Sequence, residues 1–253
     1  MAIAPAAGAI ANALDFQRER RVADALTRGF VPRRGRDIPG FELGLVYEPA
    51  GHEVGGGDIF GVWTLPSGAL AVLVGDVSGK GLEVAALSAM VRFFVEARTW
   101  DSERPAEVLE QTDHLVRGRL PDASFVAAFM GVIADDRLRW ANAGHAPPIL
   151  LGPDCDHDLA ATGVPLGVAD EPHYEEREDR FAAGDVLFAA TDGLIEARRD
   201  GVFFGDQRLR EVLGEHGRSL PADQLVAVVR REVEAWTPNL DDDLALLALR
   251  RCP

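Results

Sequence analysis

Four stretches put a carboxylate where an apolar run meets glycine or more acid. "EVGGGDIF" places Asp58 after three glycines, at the start of a strand-like run. "VLVGDVSGKG" places Asp76 at the end of another, ahead of a glycine-rich loop, and "LFAATDGL" places Asp192 likewise, before Gly193. "NLDDDLALL" puts Asp241, Asp242 and Asp243 at the start of the last apolar run. Singly, an Asp beside Gly or Ser is the residue of a turn or a helix cap. Recurring, short rigid Asp side chains at strand ends can converge on one sheet edge, where their repulsion is costly and bound divalent cations remove the cost. Oxygen-only ligands select hard ions, Mg²⁺ or Mn²⁺. No His or Cys lies close to these motifs, which argues against zinc.

The loop after Asp76 has two other readings, and both fail. A Walker A phosphate loop needs G-x-x-x-x-G-K-[ST]. Here Gly79 follows Gly75 too soon, Gly81 stands where the hydroxyl belongs, and Asp76 would face the phosphates. G-D-V-S-G-K-G is not a dinucleotide fingerprint either. Lys80 is the chain's only lysine; capping a turn or meeting solvent is its plainer role, contact with a phosphorylated substrate the sharper one. His145, in "AGHAPP", reads as a hydrogen-bonded turn residue before Pro147 rather than a general acid. Asp135, Asp136 and Asp185 read as turns, and Cys155 as a loop thiol.

The elements that must position these acids follow from periodicity. "FELGLVYEPA", "GDIFGVWTLP" and "GALAVLVGDV" are short β-rich runs broken by Gly and Pro. Helices are predicted over 82–99 and 105–119; the first carries an apolar face of Ala85, Ala86, Ala89, Met90, Phe93 and Phe94, expected to be buried on a sheet. Pro105 suits the first turn of the second. "SFVAAFMGVIA" and "RLRWANAG" flank a "DD" hairpin turn. "APPILLG", "YEEREDRFA" and "DVLFAATDG" continue the strands around a long polar loop, "GPDCDHDLAATGVPLGVADEPH". Helices are predicted over 206–214 and 221–236, before the closing strand "DDLALLALRR". Strict β-α-β alternation is missing, so largely antiparallel sheets covered by helices fit better than a doubly wound parallel sheet. Val22, Leu26 and Phe30 recur at helical spacing within residues 10–30, and Pro32 ends that helix. It is either a packed terminal helix or a dimerising, signal-receiving one.

The whole chain narrows the partners. It has 253 residues, 47% hydrophobic, enough for one large domain with a sizeable core plus a short appendage. The net charge of −15 repels nucleic acid and anionic lipid, so neither is an expected partner. Cys155 and Cys252, the only cysteines, make no CxxC pair, which fits a reducing compartment. The N-terminal "MAIAPAAGAIANALDF" lacks a basic n-region, and no run approaches the ~20 apolar residues of a membrane span. A cytoplasmic location is expected.

Together, "VGGGD", "GDVSGKG", "ANAGHAPPILL", "GVPLGV", "DVLFAATDGLIEAR", "FFGDQRL" and "DDDLALLALR" occur in an order that resembles the PPM, or type 2C, metal-dependent serine/threonine phosphatases, in their bacterial SpoIIE/RsbU-like branch. The resemblance runs from about Phe41 to Arg250. It implies an α+β fold, an αββα sandwich of two mainly antiparallel sheets flanked by helix pairs, over residues 39–253, with residues 1–38 as an N-terminal linker helix. It implies two Mn²⁺ or Mg²⁺ ions, held by Asp58, a bridging Asp76, the Val77 carbonyl, Asp192, and Asp242 or its neighbour Asp241 or Asp243. Relatives read GGD-x-x-D; here Gly61 takes the second acidic position. The implied activity is hydrolysis of phosphoserine or phosphothreonine by a metal-activated water, with a phosphorylated STAS-type anti-sigma-factor antagonist as substrate. Control through an upstream activator or a homodimer formed by the N-terminal helix is implied too. The alternative is a catalytically inactive scaffold of the same fold that binds a phosphoprotein.

Overall fold

A computed structural model describes residues 38–48, 56–121, 123–153, 156–238 and 240–253, together with Val22. The expected N-terminal helix and linker lie outside the described residues, save for Val22, which is helical and exposed, and Ile38. Gly55 and Cys155 also lie outside them.

Two five-stranded antiparallel sheets form the protein's centre. The first carries β2 (Asp58–Thr64), β3 (Leu70–Val77), β4 (Val126–Ala134), β5 (Arg137–Ala143) and β8 (Arg177–Arg180), in that spatial order. Asp135 and Asp136 make the expected turn between β4 and β5. The second carries, in spatial order, β1 (Phe41–Glu48), β12 (Leu244–Arg251), β9 (Val186–Ala190), β6 (Ile149–Leu151) and β7 (Asp156–Asp158). β7 arises within the segment expected as a plain loop. Its three residues are all exposed, so no apolar alternation announces it.

Period-2 alternation sorts each strand's side chains between two cores. Leu70, Val72, Val74, Phe129 and Leu138 of the first sheet meet Leu150, Leu187, Leu247 and Leu249 of the second, and this layer joins the sheets. The opposite face of the first sheet is covered by α1 (Leu82–Arg98) and α2 (Pro105–Val116), through Val84, Val91, Val95, Val108 and Leu109. The outer face of the second is covered by α4 (Gly205–His216) and α5 (Ala222–Trp236), through Leu209, Leu213, Leu225, Val229 and Val233. This is the αββα sandwich that the sequence implied. No described helix is long and apolar enough to cross a membrane.

The buried face of α1 is rotated from expectation. Ala85 and Ala89 are buried, but Ala86 and Phe93 face outward, while the polar Ser88 and Arg92 are buried. Both find carbonyl acceptors beneath the helix. Ser88 Oγ donates to Gly57 O at 2.9 Å, and Arg92 Nε to Phe60 O at 3.1 Å while its guanidinium lies over Trp63. A satisfied polar group tolerates burial, and hydrophobicity alone does not show that these partners exist.

Candidate metal centre

The acids gather at one end of the layer between the sheets. Asp58 opens β2 and Asp76 ends β3; in the β2–β3 register they stand directly opposite each other. Opposed residues share a face, and the pairs Phe60–Val74 and Val62–Val72 follow on that face. Val62, Val72 and Val74 pack into the inter-sheet core, so Asp58 and Asp76 also face the second sheet. From that sheet, Asp243 leads into β12 with the parity of the inward-facing Leu247 and Leu249. Asp192 begins α3 (Asp192–Ile195), a single turn directly after β9. The sequence offered no separate sign of that turn.

Hydrogen bonds fix the cluster across both sheets. Thr191 Oγ1 donates to Asp58 Oδ2 at 2.8 Å and accepts the Ala245 N–H at 2.9 Å. Tyr47 of β1 donates its hydroxyl to Asp243 Oδ2 at 3.0 Å. Asp242 Oδ1 accepts the Asp243 N–H at 2.9 Å. Lys80 Nζ donates to the Asp241 carbonyl at 3.2 Å, so the lone lysine ties the loop after β3 to the approach to β12. Sequence reasoning passed over Thr191, Tyr47 and Ser88. Each is an ordinary residue type whose role exists only across the sandwich.

The electrostatics record how close the acids are. Burial, with the charges of Asp243 and Asp76, drives the Asp58 carboxyl well above the usual carboxylate range; the Thr191 hydroxyl opposes this. Asp76 is pushed up to about 7, first by burial and then by Asp192, Asp242 and Asp243. Asp192 is raised by burial, Asp242 and Glu196. Five aspartates therefore lie within one another's fields, and Asp242 and Asp243 both take part. Among the described residues no three His, Cys, Asp or Glu side chains already meet around a single point.

The residues fit divalent ions on two observations. The donor set is oxygen only, which suits Mg²⁺ or Mn²⁺. Beside Gly57, a Cβ would stand 2.3 Å from Asp76 Oδ1 and 2.4 Å from the Val77 carbonyl oxygen. The bare glycine thus leaves open a space onto which a carboxylate and a carbonyl converge. Ser88 and the Val77 N–H both bind the Gly57 carbonyl and hold that corner in place.

Two expectations at the margin are answered here. Gly61 has the opposite parity to Asp58 and faces α1, where a Cβ would meet the Arg92 guanidinium at 2.5 to 2.7 Å. The acid missing at this position is therefore missing from the helix side and not from the cluster. His145 is buried, with its pKa pushed down to about 4 by burial. Its N–H and carbonyl both bond the Asn142 side chain, and its Nδ1 lies 2.7 Å from the Ala146 carbonyl. It has the surroundings of a turn residue and is neutral at pH 7.

An antiparallel sandwich walled by helix pairs is the fold of the PP2C-type phosphatase domains that the chain matches. The match to the SiaA PP2C domain of Pseudomonas aeruginosa has a TM-score of 0.79 at 20% identity and covers 99% of each chain. The RsbU and RsbW domains of Rv1364c from Mycobacterium tuberculosis match with a TM-score of 0.73 at 26% identity, over 85% of this chain and 60% of that one. Residues 66–252 match the family model of Stage II sporulation protein E, SpoIIE, and the chain belongs to that family. Among curated relatives, the phosphoserine phosphatase RsbU of Bacillus subtilis (strain 168) is 24% identical over 184 residues, 71% of this chain and 55% of RsbU. The chain spans about half the length of the curated relatives it matches.

Proposed function

We propose that the chain is a metal-dependent protein phosphatase acting on phosphoserine or phosphothreonine. The observation that carries this reading is that Asp58, Asp76, Asp192, Asp242 and Asp243, from four separate segments, lie within one another's fields, beside the open space at Gly57. A purely structural crowding of these acids, with Asp58 and Asp243 buried, would cost stability with no return. In this reading Asp58, Asp76, the Val77 carbonyl, Asp192 and Asp242 hold two Mn²⁺ or Mg²⁺ ions. Asp243, bound by the Tyr47 hydroxyl, orients its neighbours. The fold match to the catalytic domain of the phosphatase PstP, whose crystal structure holds 2 manganese ions, supports the metal count (TM-score 0.63 at 13% identity).

When bound, such ions activate a water for in-line attack on phosphorus and neutralise charge on the phosphoryl oxygens. The chain's own residues supply position and charge. Asp76 and the Val77 carbonyl face one space from adjacent residues of β3. Thr191 fixes the orientation of Asp58, and α3 presents Asp192 from the second sheet. The substrate in this reading is a phosphorylated STAS-type protein, as the family resemblance implies, and the match to the phosphoserine phosphatase RsbU supports a phosphoserine as the group removed. A dimer or an upstream activator acting through the N-terminal segment, and a cytoplasmic location, belong to the same reading.

The test is hydrolysis of an aryl phosphate with Mn²⁺, comparing the parent chain with Asp76→Asn and Asp192→Asn. Activity should vanish with a chelator and fall at least ~100-fold in each variant. Activity indifferent to both substitutions would remove the site. Metal binding without turnover on any phosphoester would point instead to the inactive scaffold.

A further inference from the structure

The segment leaving α3 forms a hairpin, β10 (Arg198–Arg199) and β11 (Val202–Phe203), that the phosphatase chemistry does not use. Its base is closed by the Phe204 N–H, which donates to the Ala197 carbonyl at 2.7 Å. In a chain of net charge −15, the hairpin and its neighbour α4 assemble three guanidinium groups. Arg198 lies 4.5 Å from the centre of the Phe203 ring. Arg199 and Arg208 lie 3.9 and 4.0 Å from the centre of the same Trp236 ring. Arg208 is held further by the Phe204 carbonyl at 2.8 Å. Among the described residues none of the three has a carboxylate within ion-pairing distance. Val202 and Phe203, the second strand of the hairpin, are 53% and 44% exposed.

Stacking on aromatic rings orders these cations without neutralising them. Like charges gathered on one indole repel, and an anion relieves the repulsion. The hairpin also begins six residues after Asp192, so chain length alone keeps it within about 20 Å of the acidic cluster. An extended peptide of about six residues spans the same distance. Resting on the phosphatase reading above, we propose that this hairpin, with the Arg199–Trp236–Arg208 stack, docks an acidic segment of the phosphoprotein substrate that flanks the phosphorylated residue. Val202 and Phe203 give that segment an apolar footing.

Two phosphoserine peptides test this, one with Glu and Asp within six residues of the phosphoserine and one with Gln and Asn in their place. Each is assayed as kcat/KM with Mn²⁺ against the parent chain and Arg199→Gln/Arg208→Gln, with aryl phosphate turnover as the internal reference. The parent should prefer the acidic peptide at least about tenfold at low salt, and the double variant about twofold or less. No preference in the parent, or one undiminished in the variant, overturns the proposal. Arg198→Gln, which leaves the Trp236 stack alone, should lose part of the preference if the double variant fails to fold; an unchanged preference there also counts against docking. If no phosphoester is hydrolysed, the phosphatase reading has failed, and fluorescence anisotropy of the labelled acidic peptide still reads docking. Binding lost in the variants supports it. Equal binding, or equal competition by a DNA oligonucleotide, refutes it.

Discussion

Asp58 and Asp76 face each other across the β2–β3 pair, on the side of the sheet turned toward the second sheet. Like charges directly opposed on adjacent strands destabilise a sheet, and here Asp58 is also buried and Asp76 half-buried.

Burial, with Asp192, Asp242 and Asp243 crowding Asp76, sets the pH dependence of the metal-free protein. Burial and its acidic neighbours hold the Asp76 proton up to about pH 7 in the folded chain, against 3.8 for an ordinary Asp side chain. A carboxyl raised in this way favours the folded state at low pH, and the advantage is lost as pH rises from about 4 through about 7. For Asp76 alone the loss is at most about 4 kcal/mol; Asp58 and Asp192 act in the same direction. The melting temperature of chelator-treated protein should fall between about pH 5 and 7.5, and Mn²⁺ should raise it more at the higher pH. A flat profile would show that the acids do not share a field.

Thr191 is expected to matter out of proportion to its size. Its hydroxyl holds Asp58 and the Ala245 N–H at once, across the two sheets. Thr191→Val keeps the shape and leaves both partners unsatisfied, a loss of about 2–3 kcal/mol in urea unfolding. It also removes the bond that lowers the Asp58 pKa, so Mn²⁺ affinity by calorimetry should weaken at neutral pH. Thr191→Ser should keep most of both properties; if Val and Ser behave alike, the hydroxyl is not the reason.

Two glycines on one strand and its approach should answer oppositely. Gly57→Ala puts a methyl group 2.3 Å from Asp76 Oδ1 and 2.4 Å from the Val77 carbonyl, so Mn²⁺ binding should fall at least ~10-fold. Gly61→Asp supplies the acid that the family resemblance expects, but against the Arg92 guanidinium. That flexible, oppositely charged group can yield, and activity should change by less than about threefold. A large gain in metal affinity from Gly61→Asp would mean that the face assignment of β2 is wrong.

The strand-end acids were legible because glycine punctuation and period-2 runs both survive in a bare sequence. So were antiparallel sheets covered by helices, while their pairing into an αββα sandwich came from the family resemblance. The rest depends on contacts between distant segments. Nothing local distinguishes Asp242 from Asp243. Their difference emerges when Tyr47, from the other end of the chain, donates to Asp243. The face of α1 was misjudged because Ser88 and Arg92 are buried against carbonyls contributed by β2 and its approach. Asp113 went unremarked on α2, yet it is wholly buried, pairs with Arg117, and accepts the Gly167 N–H at 2.8 Å, pinning the long loop.

β1 finds its hydrogen-bonded neighbour in β12, with Phe41 opposite Arg251. The strand that completes the second sheet is thus the one that brings in the last carboxylates. An early half-folded chain could not expose a partly competent centre, because whatever lacks β12 also leaves β1 without a seat. A copy clipped before β12 would lose the last acids and the seat of β1 together.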